Sequence, residues 1–145
     1  MNKGMYTSKT PEWSTPQDVF DILNKAWNFT LDPCATKENA KCAKFYTKND
    51  DGLAHSWDGE KVFMNPPYGR VIGDWVKKAS EIKNGVCVCL LPARTDTRWF
   101  HDYVLARGGI VEFLRGRLHF GDGKNPAPFP SMIVTFNHLL PKLAK

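Results

Sequence analysis

Four consecutive residues, Asn65-Pro66-Pro67-Tyr68, carry the groups in this chain best suited to chemistry. The Asn65 carboxamide and the Pro66 carbonyl offer hydrogen-bond acceptors, and Tyr68 offers a flat ring for stacking. Two acceptors and a stacking surface are what is needed to hold a planar amine. The two prolines lack backbone N–H groups and fix their φ angles, so they end sheet pairing abruptly. They follow a short apolar run, Val62-Phe63-Met64, which reads as a buried strand. The tetrapeptide is therefore a rigid stub at a strand's C-terminal end, the edge of an open α/β sheet where ligands bind. The plainer reading is a proline-stiffened turn that packs an aromatic.

The elements that must position this stub alternate along the chain. Thr15-Pro16-Gln17-Asp18 predicts a helix start, with a hydroxyl N-cap at Thr15, proline at the first helical position and an acid in the first turn. Val19, Phe20, Leu23 and Trp27 continue it at helical spacing. Residues 29–32 read as a strand broken by Pro33, residues 37–42 as a short helix, and residues 45–47 as a brief strand. Ile72, Trp75, Val76, Ala79 and Ile82 mark an amphipathic helix, and residues 86–91 a strand ended by Pro92. Trp99, Phe100, Tyr103 and Val104 mark another helix, capped near Thr95 or Asp96, and residues 110–114 a further strand. The end reads as a hairpin of Leu118-His119-Phe120 with residues 132–136, joined by a Gly/Pro-rich loop over 121–130 suited to a lid or substrate contact. This alternation predicts an α/β fold with a mainly parallel sheet covered on both faces, edged by an antiparallel terminal hairpin.

Bulk properties set the outer limits. The chain has 145 residues, with 42% hydrophobic and 24% charged, which predicts one domain with a single core, preceded by a flexible tail over residues 1–10. Its longest apolar run, residues 86–91, is far too short to span a bilayer, and no apolar stretch follows Lys3, so an intracellular protein is expected. A net charge of +5 and a pI near 9.1 permit a polyanionic partner without establishing one. The four cysteines, Cys34, Cys42, Cys87 and Cys89, contain no CxxC pair, and the four histidines show no ligand spacing. Cys87 and Cys89 alternate within one strand and face the same side, so packed, reduced thiols are expected and no metal site.

Asn-Pro-Pro-Tyr resembles the catalytic motif of methyltransferases that act on amino groups with S-adenosylmethionine. Further segments extend the likeness in order: Trp13-Ser14-Thr15-Pro16, Leu31-Asp32-Pro33-Cys34-Ala35, Asp51-Gly52-Leu53 with Trp57, Leu91-Pro92-Ala93-Arg94-Thr95-Asp96, and Gly116-Arg117-Leu118. Together, over roughly residues 11–136, they resemble the small phage-type, Dam-like DNA N6-adenine methyltransferases common in prophages. The resemblance implies a compact Rossmann-like methyltransferase fold, S-adenosylmethionine as cofactor and double-stranded DNA as partner, in the cytoplasm of a bacterial host. It also implies that Thr15 and Pro16 close over the cofactor's methionine end, that Trp13 is a further cofactor contact, and that Asp32, Pro33 and Cys34 contact the cofactor at a strand end. Phe20 would line the same pocket or serve as plain core, and Asp51 would accept from ribose hydroxyls or the adenine amine, or else form an Asx turn around Gly52. The glycine-rich turn of larger methyltransferases is replaced here by Asp32-Pro33-Cys34-Ala35; a cofactor without phosphates needs no phosphate cradle.

The expected chemistry is positioning. The exocyclic amine of adenine is a poor nucleophile because its lone pair is delocalised into the ring. Accepting both N–H hydrogens, at Asn65 Oδ1 and the Pro66 carbonyl, favours a pyramidal nitrogen and stabilises the positive charge that develops on it. A stacked base must first flip out, after which Tyr68, Trp99 or Phe129 would stack on it, with Tyr68 the favoured candidate. Arg94, Arg98, Arg115 and Arg117 follow predicted strand ends and would contact phosphate, or else pair with Asp96 or Asp102. No separate target-recognition domain fits in this length, so specificity is expected from loops or a partner, or to be low. Adenine in RNA, cytosine N4 and protein glutamine stay open as alternative amines, as does a non-catalytic DNA-binding role on a degenerate scaffold.

Overall fold

The computed structural model describes residues 13–141; the expected N-terminal tail lies outside them. Four strands form one sheet, β1 (Lys61–Met64), β2 (Val86–Pro92), β3 (Ile110–Phe113) and β4 (Ser131–Asn137), in the order β1-β2-β4-β3. β1 and β2 are parallel, but β4 runs antiparallel to both β2 and β3. The described sheet is mixed, which corrects the expected mainly parallel one: a single reversed strand inserted beside β2 makes two of the three pairings antiparallel. β2 is buried along its whole length, as a central strand covered on both faces requires. Cys87 and Cys89 project to one side of it as free thiols that share a hydrogen bond of 3.7 Å.

Beyond β1 the sheet continues only as isolated parallel bridges, Leu31 to Val62 and Asp32 to Phe45. The expected strands at 29–32 and 45–47 shrink to these, because Pro33 interrupts the ladder one residue on. The bridges nevertheless fix a direction. The chain passes from Asp32 outward to Phe45, then returns to the other side of Leu31 as β1. The order of the chain across the sheet therefore reverses between residues 31–32 and β1.

α1 (Gln17–Trp27) buries Phe20 and ends at Asn28, whose N–H donates to the Asn24 carbonyl and whose left-handed φ of 55° turns the chain out of the helix. Pro16 occupies the N-cap, and Thr15 makes no capping bond, which corrects the expected cap. α2 (Ile72–Ser80) buries Ile72, Trp75, Val76 and Ala79 as the spacing predicts, with Ile82 buried just beyond it. The expected helix at 37–42 is absent. Thr36 and Asn39 close one turn on themselves through reciprocal bonds of 2.7 and 3.1 Å, and the Lys41 N–H turns to the Asp32 carboxylate.

Residues Phe100–Leu105 wind more widely than an α-helix, as a π-helix, with Thr97 rather than Thr95 or Asp96 accepting at its start. The terminal hairpin is also rearranged. β3 pairs with β4, and Leu118-His119-Phe120 stays irregular because Phe120 turns inward onto Trp13 and Tyr68.

Candidate active site

β1, β2 and β3 all point their carboxyl ends at one edge of the sheet. The tetrapeptide leaves β1 there, residues 94–98 follow β2, and the loop 114–130 follows β3. A cavity of about 690 Å³ opens at this edge, where the strand order reverses, between Asp32 and Asn65. That crevice is where open α/β sheets bind ligands.

Asn65 is the centre of the site. Its Nδ2 donates to the backbone carbonyl of Trp13 and, at 2.9 Å, to Thr15 Oγ1. A backbone carbonyl is an obligate acceptor, so the nitrogen must face the Trp13 segment and the oxygen must face away. Asn65 Oδ1 is then buried with no hydrogen-bond partner among the described residues. Leaving a buried acceptor empty costs about 1–3 kcal/mol, which marks the atom for an incoming donor. No described group donates to the Pro66 carbonyl either. Cys34 Sγ donates to the Asn65 carbonyl at 3.2 Å and ties the far wall to the tetrapeptide.

Tyr68 is 3% exposed and does not line the cavity. Its hydroxyl donates to the Leu90 carbonyl of β2 at 3.1 Å, and the edges of Phe129 and Phe120 meet its ring at centroid distances of 5.5 and 6.4 Å. Burial pushes its phenol far above the usual range. Trp99 packs edge-on against Phe100 in the core, and Phe129 is buried against Trp13.

Of the expected cofactor contacts, Trp13, Thr15, Asp32, Pro33, Cys34 and Asp51 line the cavity. Pro16 and Phe20 do not; Phe20 packs on Phe29 and Phe63 in the core. Asp32 is 5% exposed and accepts from the Lys41 N–H at 3.0 Å. Burial pushes its carboxyl up to about 6 against the opposing backbone hydrogen bonds and the Lys41 charge. Asp51 has a left-handed φ of 57° and makes no side-chain hydrogen bond among the described residues. No Asx turn forms at Asp51; the neighbouring Asp50 bonds backwards instead, its carboxylate accepting from Thr47 N–H and Oγ1 and held below its ordinary range by those bonds.

Sequence reasoning missed Trp75, Leu53 and Val71 as cavity wall, since each reads as ordinary packing. Trp75 in fact stacks on Trp57 while also reaching the cavity. Gly52 had a usable signal in the Asp-Gly pair. A Cβ at Gly52 would lie 2.1 Å from the Pro33 carbonyl, so only glycine lets the two walls meet.

The four arginines flank the same edge. Arg98 and Arg115 are exposed, the Arg94 guanidinium lies 5.8 Å over the Phe129 ring, and Arg117 Nη1 donates to the Ala127 carbonyl at 3.3 Å. None forms an ion pair among the described residues; the alternative pairings with Asp96 and Asp102 are not made. No three His, Cys, Asp or Glu side chains cluster as metal ligands, and no helix is long and apolar enough to cross a membrane, among the described residues.

Comparison with known proteins places this geometry in context. The DNA N-6-adenine-methyltransferase of Haemophilus phage HP1 is 30% identical over 138 residues, covering 89% of this chain and 80% of that protein. The DNA N-6-adenine-methyltransferase of Escherichia phage T1 is 40% identical over 106 residues, covering 70% of this chain and 43% of that protein. PH1948 of Pyrococcus horikoshii, a candidate RNA methyltransferase of known crystal structure, superposes with a TM-score of 0.56 at 16% identity over 91% of this chain and 94% of that one. At that identity the likeness is one of fold alone. The profile of the Dam family, DNA N-6-adenine-methyltransferase, matches residues 5–137, and the chain therefore belongs to that family.

Proposed function

We propose that this DNA adenine methyltransferase uses S-adenosylmethionine to methylate the N6 amine of an adenine flipped out of double-stranded DNA. The observation that carries the reading is the buried, unpartnered Oδ1 of Asn65, a residue of the cavity wall, held on the side away from Trp13 and Thr15 by two acceptors on Nδ2. With the Pro66 carbonyl it takes the two amine hydrogens. Both acceptors are preorganised, so they stabilise the charge on the nitrogen without rearranging.

The cavity suits the cofactor. The walls combine apolar Trp75, Leu53 and Val71 with the carboxylates of Asp32 and Asp51 and the ammonium groups of Lys37 and Lys48. The acids match a ligand with cationic and hydroxyl groups, the lysines its carboxylate, and the apolar wall its adenine. S-adenosylmethionine supplies an electrophilic methyl on a cationic sulfur. Trp13, Thr15, Asp32, Pro33, Cys34 and Asp51 are the proposed contacts. The reversal of strand order at the crevice supports a Rossmann-like reading of the mixed α/β fold.

Tyr68 takes an anchoring role, fastening the tetrapeptide to the end of β2; stacking a base on its ring would require Phe120 and Phe129 to move aside. Arg94, Arg98, Arg115 and Arg117 lie on the tetrapeptide's edge and free of acidic partners among the described residues, which supports phosphate contact there. Duplex DNA as substrate, together with phage relatives, favours the cytoplasm of a bacterial host. Incubation with labelled S-adenosylmethionine and unmethylated DNA, RNA or protein extract tests the reading. Label in N6-methyladenine of DNA supports it; label in RNA or protein alone ends it.

A further inference from the structure

Residues 13–15 touch three parts of the molecule at once. Trp13, Ser14 and Thr15 line the cavity. The Trp13 carbonyl and Thr15 Oγ1 receive both hydrogens of the Asn65 carboxamide, 52 and 50 positions further along the chain. Ser14 is in turn pinned from two sides: its carbonyl accepts from the Gly121 N–H at 3.1 Å, and its hydroxyl accepts from Asn39 Nδ2 at 3.3 Å. The Trp13 ring lies edge-on to Phe120 and Phe129 of the loop 114–130. One short strap thus joins the cavity wall, the tetrapeptide and the arginine-bearing loop.

An asparagine amide left to itself has two orientations, and only one presents oxygen to an amine. We propose that Thr15 is a positioning residue: its hydroxyl, with the Trp13 carbonyl, locks the Asn65 amide with Oδ1 toward the site. This rests on the reading of Asn65 given above. The Thr15 side chain was expected to cap α1, but it makes no capping bond and spends its acceptor on Asn65. Because a hydroxyl both accepts and donates, that bond leaves its hydrogen free to donate into the cavity. The same atom therefore links occupancy of the cavity to the orientation of the amide. Removing Thr15 Oγ1 leaves Nδ2 with the Trp13 carbonyl alone, which still sets the sense of the amide, but the second bond that fixes its angle toward the amine is lost.

The test compares wild type with Thr15→Ser, Thr15→Val and Asn65→Ala. Each is measured for single-turnover methyl transfer at saturating cofactor, for cofactor affinity by calorimetry, and for the Asn65 side-chain NH₂ resonances in 15N-labelled protein without cofactor. Thr15→Val is expected to lose about tenfold in rate, as a hydrogen bond of ordinary strength implies. Its Asn65 NH₂ resonances should shift, while Thr15→Ser keeps both wild-type rate and wild-type resonances. If Thr15→Val weakens only cofactor affinity and leaves rate and resonances unchanged, the proposal is wrong and Thr15 is a cofactor contact alone. It is equally wrong if Thr15→Ser fails as badly as Thr15→Val. Should Thr15→Val not fold, loss of the wild-type NH₂ signature or rate in Thr15→Ser overturns the proposal, and retention of both supports it. Failure of the underlying reading looks different: Asn65→Ala would retain full activity.

Discussion

Asn65 Nδ2 and Thr15 Oγ1 sit 2.9 Å apart across a sequence separation of 50 residues, and the oxygen on the other side of that amide is buried and empty. That bond connects the start of α1 to the end of β1 and, with the one from Nδ2 to the Trp13 carbonyl, fixes how the Asn65 amide is held. The tetrapeptide supplies acceptors, and the strap decides how they point.

Tyr68 is held by burial and by its bond to the Leu90 carbonyl, so its hydroxyl contributes to stability. Tyr68→Phe should destabilise the fold by about 1 kcal/mol, lowering the melting temperature by about 2–4 °C. A ring used only to stack a base would not need the hydroxyl. An unchanged melting temperature in thermal denaturation would contradict the anchoring role.

Asp32 gives a pH prediction with a definite sign. The folded protein holds this proton up to about pH 6, against 3.8 for an ordinary aspartate. The fold therefore binds the proton more tightly than the unfolded chain does. The stability tied to Asp32 is complete below about pH 4 and is lost as pH rises through about 6. Asp32→Asn, which can still accept from Lys41, should stabilise the protein at pH 8 by up to about 3 kcal/mol, with the gain fading toward pH 4. Cofactor affinity should show the opposite trend. The carboxylate is the form that faces a cation, so affinity rises between about pH 5 and 7 in wild type and stays flat in Asp32→Asn. Denaturation and calorimetry across that range check both.

Arg98 and Arg115 are exposed and engage no described partner, whereas Arg94 and Arg117 also hold the loop through Phe129 and Ala127. Arg98→Ala and Arg115→Ala should each weaken DNA binding and reduce the slope of log affinity against log salt by about 0.9, with the melting temperature unchanged. Arg94→Ala and Arg117→Ala should do the same and also lower the melting temperature. Salt titrations that keep the wild-type slope in Arg98→Ala and Arg115→Ala would remove these residues from the interface.

What the sequence made legible follows from range. β1, β2 and the buried face of α2 announce themselves because apolar periodicity is local, and Asn65 to Tyr68 is readable because its chemistry lies in four adjacent residues. Strand pairing is not local. Nothing in residues 118–120 says that Phe120 packs on Trp13 instead of joining a hairpin, or that β4 slots between β2 and β3. Thr15 shows the same limit: a Thr-Pro pair before a helical run signals a cap, yet its hydroxyl is taken by a residue far along the chain. Tyr68 reads as an open stacking surface until the fold brings Phe120 and Phe129 against it.

The central claim is that Asn65 Oδ1 holds the target amine. Single-turnover transfer from S-adenosylmethionine to an adenine-containing duplex, compared between wild type and Asn65→Ala, tests it directly, with cofactor affinity measured on the same samples. The expected result is a fall of about a hundredfold or more in transfer rate, the scale seen when a preorganised polar contact to developing charge is removed, with cofactor affinity nearly unchanged. Transfer at the wild-type rate in Asn65→Ala would contradict the account.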